Sequence, residues 1–303
     1  MPHRRSLHTL SIALSGAPIR TRFAPSVTGH LHLGHAVNAV YVWGLARALG
    51  GEVLLRLEDH DRGRFRPEFE SSILEDLTWL GLIADVALVS RQSDHPERYA
   101  GAADRLSGAG HTFWCECTRG TITAEPREPT EGETLRYPGT CRPKGLAAAP
   151  GRALRVRIEP GLERFDDLRL GQQQQQDPAL QAGDFVLRDG NGQWSYQHCV
   201  TVDDLEEQIT LVVRGEDLLS STGRQLRLAR LLGRTTPPRY LHHPLVTDAG
   251  GHKLSKKEFA KSLGDLRREG WTPERVLGEA AFLGGLIPNG RPIGVDELLS
   301  LFV

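Results

Sequence analysis

Ile19-Arg-Thr-Arg-Phe23, then Ala24-Pro-Ser-Val-Thr-Gly-His-Leu-His-Leu-Gly-His35, runs from a strand through a turn into a helix. Alternation over 19–23 predicts a half-buried strand, and Pro25, Ser26, Thr28 and Gly29 are turn chemistry. From Gly34 the period becomes helical. Val37, Val40, Tyr41, Leu45 and Leu49 recur at steps of three and four until Gly50-Gly51 stops them. Residues 53–57 read as an apolar strand with Glu58-Asp59-His60-Asp61 at its end, and 69–80 as the next helix. A strand–helix–strand–helix rhythm predicts an α/β fold with a parallel sheet and crossover helices. Ligands in such sheets bind beyond the carboxyl ends of the strands, where both 24–35 and Glu58 fall.

Outward from there the pattern changes at about residue 112. The interval 112–183 is rich in Gly, Pro, Thr and Arg and reads as an inserted subdomain, with its 172–176 glutamine run as an exposed loop. Strands return at 185–188 and 209–214, a helix at 218–232, and a helical pair from Thr272-Pro273-Glu274 onward. Charge is balanced, 37 Lys and Arg against 38 Asp and Glu. That excludes a uniformly basic nucleic-acid coat protein while leaving room for a local basic face. No apolar run approaches the roughly 18 residues of a membrane-spanning helix, so no membrane partner is expected. Met1-Pro-His-Arg-Arg5 and the 7–17 run imitate a secretion signal, but His8, Thr9, Ser11, Ser15 and Gly16 interrupt it, and 1–17 reads as a cytoplasmic extension. Four cysteines are too few for a disulfide scaffold, and Cys115-x-Cys117 suits a reducing, cytoplasmic setting where thiols bind metal.

Three groups of residues carry chemistry. His32 and His35 sit at the mouth of the first helix, where unpaired backbone N–H groups and a partial positive charge suit phosphate. Gly34 between them lets a flat base lie against the backbone. Metal ligation and ordinary helix capping are the other readings of the pair. No Walker loop and no Gly-x-Gly-x-x-Gly accompanies them. The second group lies about 220 residues downstream. Only five of the 37 cationic side chains are lysines, and four of those, Lys253, Lys256, Lys257 and Lys261, fall in one window after Gly250-Gly251. Ammonium groups on a mobile loop can neutralise a triphosphate in a transition state; a solvated charge run is the plainer reading. The third group is Cys115, Cys117 and Cys141, spaced as a structural zinc site, with His111, Cys199 and Tyr137 as candidates by type for the fourth ligand.

His-Leu-Gly-His after a first strand, joined to a late Lys-Leu-Ser-Lys, resembles the class I aminoacyl-tRNA synthetases, whose signatures read His-Ile-Gly-His and Lys-Met-Ser-Lys-Ser. Lys257 in place of the last Ser is a departure. Arg22-Phe-Ala-Pro-Ser26, Leu57-Glu-Asp59, Tyr196 with Val202-Asp-Asp204, and Val213-Arg-Gly-Glu-Asp217 resemble the glutamate-specific branch, over about residues 18–285. The resemblance implies a Rossmann-like doubly wound parallel sheet, with an inserted zinc-bearing subdomain and a short C-terminal helical segment. Its expected divisions are an extension (1–17), a first catalytic half (18–111), the insertion (112–183), a second half with the lysine loop (184–262) and a helical remnant (263–303). It implies that Arg22, Phe23, Ala24, Pro25, Ser26, Glu58, Tyr196 and Arg214 hold L-glutamate. It implies too that Gly34, Lys253 and Lys256 hold ATP with its Mg²⁺, and that His32, His35 and Lys256 act on the phosphates. In the shortened members a Tyr oxygen completes the zinc tetrahedron, which implies Cys115, Cys117, Tyr137 and Cys141 around one structural Zn²⁺ per chain.

Full-length enzymes of this branch carry an anticodon-binding helical domain beyond the lysine loop, whereas 46 residues follow Lys257 here. They also commonly have Asn where Val200 stands. Both departures resemble the short branch, which activates glutamate with ATP and attaches it to queuosine at the wobble position of tRNA(Asp). A monomer is expected. Arg224, Arg227, Arg230, Arg234 and Arg239 offer either an RNA-facing patch or a solvated helix face. Two further readings are a shortened glutamyl-tRNA synthetase charging the 3′ end and a non-catalytic zinc-bearing RNA-binding module.

Overall fold

Strand formation starts where the alternation predicts it. β1 (Arg20–Phe23) pairs in parallel with β2 (Glu52–Leu57), the connection passing through α1 (Leu33–Ala48). The structure, a computed structural model, describes residues 18–86, 89–123, 136–246 and 261–303. After β2 come α2 (Pro67–Trp79), β3 (Ser90–Arg91), which extends the sheet in parallel, and α3 (Pro96–Gly108). The later elements are β4 (Thr112–Cys115), α4 (Arg119–Thr123), β5 (Ala153–Val156), β6 (Glu163–Asp167), β7 (Gly171–Gln176), α5 (Pro178–Gln181), β8 (Val186–Arg188), α6 (Tyr196–Glu206), β9 (Leu211–Gly215), α7 (Thr222–Leu231), β10 (Arg239–His243), α8 (Leu263–Arg268) and α9 (Pro273–Leu283). A 3₁₀ turn over Val295–Leu301 takes the place of the second member of the terminal helical pair.

Three sheets result, ordered β1-β2-β3, β7-β6-β10-β9 and β4-β5-β8. β10 runs parallel to both β9 and β6, whereas β4-β5-β8 is antiparallel. The first two sheets abut: the Thr210 N–H donates to the Arg20 carbonyl at 3.0 Å, and the Arg20 N–H to Thr210 Oγ1 at 2.9 Å. Period-two patterning divides the side chains of this mixed, Rossmann-like layer. Val53, Leu55, Leu57, Leu211, Val213 and Leu241 join the main core with α1, while Leu54, Val212 and Tyr240 face the other way, against Leu226 of α7. Of α1, Ala36, Val37 and every residue from 39 to 46 is buried. Full burial of each Val or Leu there contributes roughly 1.5–3 kcal/mol, which fixes the helix as a strut against the sheet.

The glutamine run differs from its expected loop. Residues 171–176 form β7, paired antiparallel with β6. A strand ladder uses backbone groups only, so polar side chains do not prevent it, and Gln176 is itself put to use. Its Nε2 donates to the Leu219 carbonyl at 2.8 Å and its Oε1 accepts from the Gly223 N–H at 2.7 Å. The interval 112–183 is thus shared between two sheets, β4-β5 in one and β6-β7 in the other.

Candidate functional site

The helix mouth is built by the turn after β1. The Glu58 N–H donates to the Pro25 carbonyl at 3.0 Å and the Val27 N–H to the Glu58 carbonyl at 3.2 Å, so 25–27 continue alongside the end of β2. His32 then caps α1. Its Nδ1 accepts from the Gly34 N–H at 3.1 Å, and Nδ1 of His35 accepts from the His32 N–H, also at 3.1 Å. The rings lie 4.0 Å apart. Burial lowers the pKa of both; His35, with His32 beside it, is brought to about 3. Neutral rings that accept at Nδ1 carry their proton on Nε2, so each imidazole presents an uncharged N–H donor. Capping and phosphate binding are therefore compatible uses of opposite ring nitrogens. Gly34 serves this geometry directly: a Cβ there would stand 2.9 Å from His32 Cε1 and 3.1 Å from Nδ1.

Beside the mouth, four expected residues converge from four elements: Arg22 on β1, Glu58 at the end of β2, Tyr196 at the start of α6 and Arg214 on β9. Burial pushes the Tyr196 hydroxyl up, Glu58 adds to that, and Arg214 and Arg22 oppose it, so the phenol sits in the field of all three. Arg22 Nε donates to Asp204 Oδ1 at 2.9 Å and Nη1 to the Val213 carbonyl at 3.4 Å. Among the described residues no acceptor meets its Nη2. Burial raises the Glu58 pKa, with Arg56 and Arg22 opposing. Arg214 donates from Nε to His242 Nε2 at 3.1 Å, from Nη1 to Gln225 Oε1 at 2.6 Å and from Nη2 to Thr222 Oγ1 at 2.8 Å. Ser26 is exposed, Ala24 half-buried, and Pro25 buried. Phe23 differs from its expected place among the glutamate contacts. Its side chain is 1% exposed and packs on Trp43, ring centroids 5.3 Å apart, because the inward parity of β1 aims it at the core.

Sequence reasoning missed the residue that ties these together. Arg56 is wholly buried on β2, two positions before Glu58 and on the same face. Its Nη1 lies 2.9 Å from Asp204 and 2.7 Å from Glu207, and its Nη2 lies 3.5 Å from Glu58. Burial works against its charge, but Asp204, Glu207, Asp203 and Glu58 hold its pKa above the ordinary value. An arginine inside the otherwise apolar run 53–57 was the available signal. Arg56 and Arg22 share Asp204, so β1, β2 and α6 are locked through one carboxylate.

The helix arginines divide: Arg224 and Arg227 are buried, Arg234 and Arg239 half-buried, and Arg230 exposed. Arg227 bonds to Glu163 and the carbonyls of Glu159 and Gly161, and Arg230 reaches Glu163 at 2.7 Å. Arg234 donates to the carbonyls of Thr236, Asp204 and Ile209. The β6-β7 hairpin lies against α7 and covers Arg224 and Arg227, while Arg230 stays at the surface with its guanidinium on Glu163. Lys253, Lys256 and Lys257 lie outside the described residues; Lys261 pairs with Glu269 at 2.7 Å. Next to Lys261, Ser262 bridges to His32, and the Leu263 N–H donates to the Leu31 carbonyl at 2.8 Å.

The cysteine group assembles around the end of β4. Sγ of Cys115 lies 3.4 Å from Tyr137 Oη, Sγ of Cys117 lies 3.4 Å from Sγ of Cys141 and 3.9 Å from the same phenol oxygen, and the three sulfurs fall within 4.8 Å of one another. Sulfurs on one tetrahedral zinc stand about 3.8 Å apart, given Zn–S near 2.3 Å, so the spacing fits that ion. Burial and the Cys115 thiol push the Tyr137 hydroxyl well above its ordinary pKa, opposed by the Cys141 N–H, which donates to Oη at 2.8 Å, and the Arg155 guanidinium lies 3.9 Å from the ring centroid. Burial opposes ionisation of Cys141, yet the Glu116 backbone N–H and the Tyr137 hydroxyl hold the thiol at about 7. Cys199 packs elsewhere, buried with Tyr99, Ala102 and Val202.

Comparison with known proteins follows the same lines. Residues 18–292 match the catalytic domain of the class I tRNA synthetases (E and Q). A protein of Burkholderia cenocepacia described as a glutamyl-Q tRNA(Asp) synthetase is 45% identical over 278 residues, 90% of this chain and 91% of that one. One of the same description from Nitratidesulfovibrio vulgaris is 41% identical over 298 residues, 93% of this chain and 91% of that one. The crystal structure of a glutamate tRNA ligase from Elizabethkingia meningosepticum, in complex with its amino acid, superposes with a TM-score of 0.77 at 25% identity over 93% of this chain. This chain spans 64% of that longer one.

Proposed function

We propose, for a chain that belongs to the class I tRNA synthetases of the glutamate and glutamine branch and within them to the glutamyl-Q tRNA(Asp) synthetases, that it activates L-glutamate with ATP and transfers it to queuosine at the wobble position of tRNA(Asp). An oxygen of the glutamate α-carboxylate attacks the α-phosphorus of ATP, the P–O bond to the β-phosphate breaks, and pyrophosphate leaves. A hydroxyl of the queuosine cyclopentene ring then attacks the glutamyl carbonyl, gives up its proton and releases AMP.

The observation that carries this reading is the pair of imidazoles at the mouth of α1, each accepting a backbone N–H at Nδ1, on the turn that runs alongside Glu58, with Tyr196 in the field of Glu58, Arg214 and Arg22. His32 and His35 donate to phosphate oxygens as charge develops on them, with no proton to lose and little reorganisation. Gly34 leaves room for the nucleotide. Arg22 and Arg214 take the carboxylates, Glu58 the α-ammonium, and Tyr196 donates its hydroxyl. Lys253 and Lys256 neutralise the leaving phosphates, and Mg²⁺ accompanies the nucleotide. Ser262 is paired with His32, and the six residues back to Lys256 span at most about 20 Å, so the chain can bring that ammonium to the site. Rate enhancement comes from position and electrostatics.

In this reading the doubly wound catalytic layer is drawn from 18–111 and 184–262 together with the β6-β7 hairpin, the zinc-bearing insertion is the rest of 112–183 with β8 on its sheet, and 263–303 is a helical remnant. Cys115, Cys117, Cys141 and Tyr137 would hold one structural zinc, stapling a small core of Phe113 and Ile122. No described helix is long and apolar enough to cross a membrane, and the enzyme acts as a cytoplasmic monomer on tRNA. Incubation with ATP, radiolabelled glutamate and tRNA(Asp) with and without queuosine tests the assignment. Label should enter only the modified tRNA and map by nuclease digestion to the anticodon fragment. Label on the terminal adenosine would instead identify a shortened glutamyl-tRNA synthetase.

A further inference from the structure

We propose that Arg224 is a specificity-determining residue, a second buried guanidinium that acts with Arg214 to receive the side-chain carboxylate of the substrate. The proposal rests on the glutamate-activating reading above and deepens it. Its starting point is how charge is balanced inside the molecule. Arg22, Arg56 and Arg227 are buried, and each meets a carboxylate: Asp204, Asp204 with Glu207, and Glu163. Arg214 and Arg224 are buried as deeply, 3% and 7% exposed, and among the described residues neither has a carboxylate within ion-pair distance, a condition shared by Arg155, which lies over the Tyr137 ring and donates to the Asp184 carbonyl. The acceptors of Arg214 are an imidazole, an amide and a hydroxyl. Burial lowers the pKa of that imidazole and Arg214 adds to it, against the hydrogen bond of His242 Nδ1 to Asp167 at 2.6 Å. Among the described residues Arg224 makes one hydrogen bond, Nη2 to Ser221 Oγ at 3.1 Å, and its buried Nε has no partner.

Two guanidinium groups therefore share an interior in which neither pairs directly with a carboxylate, Asp167 reaching Arg214 only through His242. Burial lowers the pKa of Arg224 and Arg214 lowers it further, so the two feel each other. They are also joined through neutral side chains: Gln197 Nε2 donates to Ser221 Oγ at 2.9 Å, Gln225 Nε2 donates to Gln197 Oε1 at 2.9 Å, and Arg214 donates to Gln225. Gln197 adjoins Tyr196, which carries this chain of contacts to the crevice wall. An uncompensated buried cation is a cost to the folded protein unless a ligand supplies the opposite charge. A carboxylate supplies it and a carboxamide does not. The arrangement thus selects glutamate over glutamine, and a second guanidinium sharpens a choice that Arg214 alone would make less strictly.

The full-length protein with Arg224→Gln and Arg224→Lys tests this in ATP–pyrophosphate exchange without tRNA. Loss of one partner of a buried charge pair predicts a glutamate KM about 30-fold or more higher for Arg224→Gln, with the ATP KM and kcat changed far less. Discrimination against glutamine should fall in parallel, and Arg224→Lys should recover part of both. Melting provides the second readout. Removing an uncompensated cation should leave the ligand-free melting temperature unchanged or higher, while the rise produced by added glutamate shrinks. A glutamate KM within threefold of the parent overturns the proposal. So does a lowered ligand-free melting temperature with KM and kcat shifted together and no recovery by lysine, which marks a structural role. Parent protein with no glutamate-dependent exchange overturns the activation reading itself, and with it this proposal.

Discussion

Gly34→Ala separates the position of an imidazole from the stability of the helix that carries it. The added methyl would stand 2.9 Å from His32 Cε1 and 3.1 Å from Nδ1, well inside the roughly 3.5–4.0 Å at which carbon atoms rest against each other. The ring must retreat by about 0.5–1 Å, and its capping bond to the N–H of residue 34 weakens. For the fold these effects nearly cancel. Alanine in place of glycine inside a helix stabilises by up to ~1 kcal/mol, and a weakened cap costs about 1 kcal/mol. In a chain of this size 1 kcal/mol moves the melting temperature by only about 2–4 °C. For catalysis they do not cancel. One misplaced donor to a developing oxyanion costs about 2.7–4 kcal/mol, or 10²–10³ in rate. The expected result is a glutamate-dependent ATP–pyrophosphate exchange rate about 100-fold lower at saturating substrates, with the melting temperature within a few degrees of the parent. Exchange within threefold of the parent would refute the assignment of His32 as a positioned donor.

Three more outcomes are expected. Purified protein should contain one zinc per chain by elemental analysis; Cys141→Ser should lower both that content and the melting temperature, and a zinc-free, fully stable parent would sink the site. Burial raises Asp76 to about 6, with Arg267 opposing and Glu75 adding, so the folded state holds this proton more tightly than the unfolded one. Its ionisation therefore weakens the fold as pH rises from about 4 through 6. Asp76→Asn should gain stability relative to the parent between pH 4.5 and 7 in urea melts; an unchanged difference across that range would contradict it. Lys256→Ala should abolish exchange while leaving the circular dichroism spectrum intact, and retained exchange would remove that residue from the reaction.

Much of this was legible in residue types and spacing. The strand at 19–23, the helix from Gly34 and the strand at 53–57 announce themselves because half-burial imposes a period, and the structure has all three. The three sulfurs also come together as their spacing predicts. Spacing could not choose the oxygen of Tyr137 over His111 or Cys199, since proximity through space has no period. The arginines of α7 show the other limit. Helical spacing puts them on faces, but only the folded β6-β7 hairpin decides that Arg227 meets Glu163 rather than solvent. The glutamine run misled for a related reason, since composition speaks about side chains and a hairpin ladder is made by the backbone. Arg56 was a visible anomaly in an apolar strand, and its meaning depends on Asp204 and Glu207, about 150 residues away.

The encasement of α1 bears on how heat would end activity. With Ala36, Val37 and all of 39–46 inside the protein, the amides of this rod exchange with solvent through unfolding of the whole domain rather than by local fraying. The two imidazoles are the outer tip of that rod. Warming should therefore not blunt the catalyst by degrees: thermal inactivation and cooperative melting would fall on one curve, and attempts to retune the histidines by repacking the helix would trade directly against survival of the fold.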